Sequence, residues 1–183
     1  GILFTVSLAF SAAAQDVSQY AVDDAIVHQF YPDSVIDQSE VGNNILAFTT
    51  NSNDTTVSRV LSFIKFGLPK SQVSAASISV RGAIRNTTIY ETFDVTLNSV
   101  KSDFDGSTVT FATKPAKDKK LGDLTLTSSS ARQEFATNDN FLAYINEQIR
   151  LGKEYISVEV RADGIDDDDN TWIGGMENGA WGR

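Results

Sequence analysis

Polar and apolar positions alternate with a period of two along much of this chain. Residues 57–66 place Val60, Ile64 and Phe66 on one face with Ser58 and Ser62, and Arg59, Leu61, Phe63 and Lys65 on the other. Residues 74–81 set Ala76, Ile78 and Val80 against Ala75, Ser77, Ser79 and Arg81. In 89–97, Ile89, Phe93, Val95 and Leu97 read inward, with Tyr90, Thr92, Asp94 and Thr96 outward. In 155–161, Ile156, Val158 and Val160 alternate with Tyr155, Ser157, Glu159 and Arg161. Such alternation puts one face of a strand in a core and the other toward solvent. Apolar runs at 25–31 and 45–49, and shorter stretches at 107–112 and 121–126, predict further strands. Turn chemistry separates them at 42–44, 51–54, 67–69 and Asp105-Gly106.

One stretch has the helical period instead. Phe141, Leu142, Ile145 and Ile149 form a stripe, Thr137 or Asn138 can cap it, Asp139 suits its positive end, and Gly152 can end it in the left-handed conformation. No 20–50-residue period recurs, which argues against an internal solenoid. The pattern predicts an all-β fold: an antiparallel β-sandwich of the jelly-roll kind with one short packed helix.

The start of the chain reads differently. Residues 2–10 are ILFTVSLAF, followed by SAAAQ, with Ala12 and Ala14 in an A-x-A arrangement. This matches the rear of a secretory signal peptide, cleaved after Ala14, and makes 15–183 the mature sandwich of a secreted protein. The alternative is a buried N-terminal strand; if retained, it suits donation to a neighbour in an extracellular assembly. The run is too short to span a membrane. Two N-x-T sequons, Asn53-Asp54-Thr55 and Asn86-Thr87-Thr88, agree with export.

The 183 residues suit one domain, which can bury a core without staples. There is no Cys, which excludes thiol catalysis, disulfides and thiolate zinc, and the single His excludes a poly-His metal site. Lys and Arg total 15 against 24 Asp and Glu, a net charge of −9. That balance argues against a nucleic-acid partner.

The order of short motifs resembles the extracellular DNRLRE-domain family, which includes alginate-type carbohydrate-binding modules. Asp24-Ala25-Ile26-Val27 matches its opening strand, and Gly42 to Phe48 its glycine loop and short strand. Arg59 to Phe66 with Leu68-Pro69 matches its Arg-x-x-Leu-x-Phe strand and Leu-Pro turn, and Val73, Ala76 and Ile78 the next strand. Val109-Thr110-Phe111 and Lys114-Pro115-Ala116 follow, with Phe111 where Trp is usual, and the helix-then-strand close at 138–161 fits. The family's closing Ser-Arg-Glu is replaced by Ile173-Gly174-Gly175-Met176-Glu177. The resemblance covers most of 22–175 and implies a secreted jelly-roll domain that binds polysaccharide.

The side chains support binding better than catalysis. His28, the only imidazole for a Ser-His-Asp arrangement, lies inside a predicted strand, and no nucleophile-elbow pattern or phosphate loop occurs. A lyase base could be assembled from Tyr90 with Arg81, but any sheet face bearing a Tyr allows the same. Uronate sugars offer carboxylates to Arg and Lys and C–H faces to aromatic rings. The solvent-side Arg59, Lys65, Arg81, Tyr90, Tyr155 and Arg161 supply those groups if their strands are neighbours. Leu61 and Phe63 share the face of Arg59 and Lys65, so that face is itself partly covered. Asp163, Asp166, Asp168 and Asn170, with Asp167 and Asp169, form either a solvated acidic loop or an oxygen-rich site for Ca²⁺, which is not an EF-hand. Trp172 and Trp181 lie beyond it and suit either a sugar ring or a core plug. The leading expectation is a non-catalytic polysaccharide-binding module. The alternatives are a structural or adhesive subunit of an extracellular assembly, and an accessory fragment of a polysaccharide lyase.

Overall fold

A computed structural model describes residues 5–12, 15–36, 49–52, 56–81, 92–127 and 132–162. Among them run β1 (Thr5–Ala12), β2 (Gln15–His28), β3 (Thr49–Ser52), β4 (Thr56–Gly67), β5 (Ala75–Arg81) and β6 (Thr92–Val100). Then come β7 (Lys117–Thr127), β8 (Arg132–Glu134), β9 (Ala136–Thr137), α1 (Asp139–Arg150) and β10 (Tyr155–Ala162). The strands form an antiparallel path, β8-β5-β1-β2-β4-β10-β6-β7-β9, with β3 pairing β4.

The path becomes two layers at β2. Its first half pairs with β1, up to Tyr20 opposite Ser7, and its second half with β4, from Ala21 opposite Phe66. The register slips between Ala21 and Asp23. A long strand that changes partner at a bulge turns the corner of a sandwich. Leu8, Ile78 and Val80 of one layer then meet Ile26, Val60, Ile64, Phe66, Leu97 and Val158 of the other in one apolar core. This is the expected antiparallel sandwich with one packed helix.

The helix forms as its sequence predicts. Asn138 caps it, accepting the Asn140 N–H at 3.0 Å. Gly152 ends it at φ +71°, with its N–H on the Ile149 carbonyl and the Lys153 N–H on that of Gln148, a Schellman close. Phe141 and Ile145 are buried in the core. Asn146 clips the helix to the β4–β5 connection, accepting from the Val73 N–H at 2.8 Å and donating to its carbonyl at 2.9 Å.

Alternation in β4 and β2 buries both faces. Ala25, Val27, Leu61 and Phe63 form a second apolar cluster with Phe104 and Val109. Phe104 and Val109 belong to residues 101–116, which cross the outer face of the second layer between β6 and β7. The 107–112 stretch, expected as a strand, therefore lies in this cover and is not one. Its polar side chains take the backbone groups that a ladder would need. Asp105 accepts from the Ser107 N–H at 2.8 Å, and the Thr110 N–H donates to the Thr113 hydroxyl at 3.0 Å.

The cover corrects several expectations of exposure. Thr96, Ser157 and Glu159 were expected outward and are buried. Lys65 was expected in solvent and is 13% exposed. Ser79, on the other layer, is also buried, within 3.1 Å of the Ser7 hydroxyl. The 25–31 strand stops at His28, because the His28 ring accepts the Phe30 N–H and starts a turn. Residues 5–12, read as part of a leader, form β1 and pair on both sides. The expected turn at 42–44, most of the 45–49 strand, the end of the 51–54 turn and both sequons lie outside the described residues.

Gly106 is where the cover comes closest. Its N–H donates to Asp23 at 3.0 Å. A Cβ there would sit 2.4 Å from the Asp23 carboxylate and 2.5 Å from the Asp24 carbonyl. Gly106→Ala is expected to cost about 1–3 kcal/mol, the usual penalty for added volume in a packed site. Urea unfolding should show the shift as a lower midpoint at unchanged slope.

Candidate functional site

Antiparallel pairing brings three of the expected sugar-facing residues to one face. Ser157 lies opposite Lys65 and Tyr155 opposite Gly67, so Lys65, Tyr155 and Arg161 share the outer side of β4 and β10. Arg59 is placed by its backbone opposite Thr49. Arg81 belongs to the other layer, between Thr5 and Arg132. Tyr90 and the acidic stretch holding Asp163, Asp166, Asp168 and Asn170 lie outside the described residues, as do Trp172 and Trp181. Among the described residues no three His, Cys, Asp or Glu side chains cluster to hold a metal.

Lys65 and Arg161 are tied into the fold. The Lys65 ammonium lies 3.1 Å from Asp103 and 3.6 Å from Asp23, donates to the Phe104 carbonyl, and sits 5.0 Å from the Phe104 ring centre. Arg161 grips the fully buried Glu159 with both arms of its fork, at 2.5 and 2.7 Å. Tyr155 is different: it is 47% exposed.

Tyr155 borders a depression of about 360 Å³ between the end of α1, the start of β10 and the exit of β6. A second depression of about 640 Å³ runs on between α1 and the start of β7. Both are lined by Val100, Lys101, Tyr144 and Gln148, so they form one groove with Tyr144 between them. Their size is that of small-ligand sites. Sequence reading missed this groove, because its walls come from a helix, a strand end and a non-repetitive segment whose meeting no local pattern shows. The one sequence signal was the helix stripe, which fixed the face α1 turns away from the core.

The charges of the groove are uneven. Glu147 is bound by Arg150 at 2.6 and 2.7 Å, which holds its carboxyl below the usual range despite some desolvation. Asp103 is drawn two ways. Burial pushes its pKa up, but bonds from the Ser157 hydroxyl, the Phe104 N–H and the Lys65 ammonium outweigh this and hold it below 3.8. Lys101, Lys119 and Lys153 line the groove without an ion-pair partner among the described residues, beside Asp118 and Glu154. The Tyr144 phenol is raised to about 12, first by burial and then by Asp118 and Asp103. It stays protonated at ordinary pH and lies 3.5 Å from the Ser157 carbonyl. The groove thus offers ammonium groups, an amide, a phenol and an exposed ring.

Residues 15–180 match the family profile described as carbohydrate-binding module family 96. No curated protein matches the chain.

Removing Arg161 leaves the Glu159 carboxylate buried without its cation. Arg161→Met is expected to cost about 3 kcal/mol in urea unfolding, and Glu159→Met added to it should recover most of that loss. Asp103 sets an acid limit. Its folded pKa lies below the unfolded value, so its stabilising effect is complete above pH 3.8 and is lost as pH falls through the lowered folded value. Thermal melts are expected to drop below that pH in the native chain. Asp103→Asn should melt lower at neutral pH and lose less on acidification.

Proposed function

The chain belongs to carbohydrate-binding module family 96, and from that premise we propose that it is a secreted, non-catalytic module for uronate-containing polysaccharides, with the groove beside α1 as its binding surface. The observation that carries this is the set of ammonium groups of Lys101, Lys119 and Lys153 around Tyr144, Gln148 and the exposed ring of Tyr155. Ammoniums suit carboxylates, the amide suits hydroxyls, and the rings suit sugar C–H faces. The DNRLRE resemblance and its alginate-type members favour the same ligand class. Tyr144 is a poor general base, since its pKa is raised, and this favours binding without turnover. The A-x-A pattern at Ala12 and Ala14 favours export.

A second reading, a structural subunit of an extracellular assembly, is favoured by β1. Its backbone pairs with β2 and β5 together, which suits a segment that stays with the folded protein. Mass spectrometry of the secreted chain separates the two: an N-terminus at Gln15 favours the binding module, and retention of Ile2 to Ala14 the assembly.

The binding test is affinity electrophoresis through gels containing alginate, pectate or a neutral glucan. Retardation is expected in the uronate gels and should weaken as salt rises. Lys101→Ala with Lys153→Ala, and separately Tyr155→Ala, are each expected to weaken binding by roughly tenfold, as loss of an anchoring residue does. A native chain that no polysaccharide retards would sink the reading.

A further inference from the structure

The turn after β2 holds two aromatic rings in water. Phe30 is 44% exposed and Tyr31 53%, and Val35 beside them is exposed as well. Rings this open add little to a core, yet their turn is firmly built. The Tyr31 N–H donates to the His28 carbonyl at 3.0 Å, and the Ser34 N–H to that of Tyr31 at 3.1 Å. The Pro32 carbonyl takes the Ala112 N–H at 2.8 Å, which ties the turn to the 101–116 cover.

The buried His28 ring is the base on which the pair rests. Its centre lies 5.5 Å from that of Phe30 and 5.3 Å from that of Tyr31. Its Nδ1 accepts the Phe30 N–H at 3.0 Å, which requires that nitrogen to be unprotonated. Burial lowers the His28 pKa and so keeps it in that state. The turn that carries the rings is thus built by the fold itself, and a preformed turn lowers the entropic cost of binding to it.

The pair stands well away from the groove. His28 lies opposite Val60, while Tyr155 lies opposite Gly67. That interval along β4 is about 23 Å at the rise of a strand.

We infer that Phe30 and Tyr31 form a second saccharide platform, which takes the apolar C–H faces of sugar rings at the opposite end of the sheet from the groove. This rests on the carbohydrate-binding reading above. The platform carries no charge of its own, so it recognises ring faces and not carboxylates. Its contribution extends to neutral glycans and resists salt, unlike that of the lysines.

The test compares the full chain with Phe30→Ala/Tyr31→Ala in gels of alginate, pectate and neutral glucan, at low and high salt. The double variant is expected to bind roughly tenfold more weakly to each glycan that retards the native chain, at both salt levels. The double variant should still melt in one cooperative transition, lowered only by the lost contacts with His28, and Phe30→Tyr/Tyr31→Phe should melt and bind as the native chain does. Equal retardation of native chain and double variant would overturn the platform while leaving the groove intact. So would a native dimer in sedimentation that the double variant dissolves without losing glycan affinity, which would assign the rings to a second copy. A native chain retarded by no glycan would overturn the platform together with the carbohydrate-binding reading.

Discussion

The ammonium of Lys65 is the point on which the outer half of the molecule depends. It comes up from β4 between Asp23 of β2 and Asp103 of the cover, and donates to the Phe104 carbonyl. This brings two sheet strands and the 101–116 segment to one cation. Burying the Lys65 ammonium costs desolvation, which the two more exposed carboxylates and the Phe104 carbonyl offset while fixing where the cover lies. The stabilisation comes from what it positions: Phe104 against Phe63, with ring centres 5.8 Å apart, and Val109 in the same cluster. Once that face is closed, Glu159 is buried and must keep Arg161 beside it.

The same placement shapes both candidate surfaces. Asp103, held by Lys65, stands at the entrance of the groove next to Lys101. At the far end of the cover, Ala112 reaches Pro32 and steadies the aromatic turn. The cover thus acts as a strap with a polar edge at one end and an apolar one at the other. Each surface inherits its order from backbone that the sandwich core already fixes, so neither requires a flexible loop to fold upon the ligand.

The layers were legible because burial follows a period of two, and the sequence wrote that period clearly in β4, β5 and β10. Val60, Ile64 and Phe66 turned to the main core, and Leu61 and Phe63 turned away from it, as their parity requires. The helix was legible down to its caps, since Asn138 and Gly152 act through local chemistry. The cover was not legible. Its Ser, Thr and Asp side chains satisfy their own backbone, and such segments carry no periodic signature. That is why 107–112 read as a strand, and why Ser157, Thr96 and Glu159 read as solvated. An acid between β-branched neighbours looks exposed unless its cover is known. The aromatic turn was missed for a related reason: Phe30 and Tyr31 extend an apolar run, and only the imidazole of His28 stops the strand before them.

A net charge of −9 at first opposes binding to a polyanionic glycan. Global and local charge act over different distances, however. At physiological ionic strength the Debye length is about 8 Å, so carboxylates beyond it are largely screened from a chain lying in the groove. What such a chain meets is set by its immediate neighbours. Arg150 and Lys65 neutralise Glu147 and Asp103 there, which leaves Lys101, Lys119 and Lys153 beside Asp118 and Glu154. Pairing two of its acids with cations drawn from outside the groove leaves the lysines there less opposed than the overall charge of the protein implies. Under the proposed function, the overall charge bears on how fast a polyanion approaches, and the groove on whether it stays.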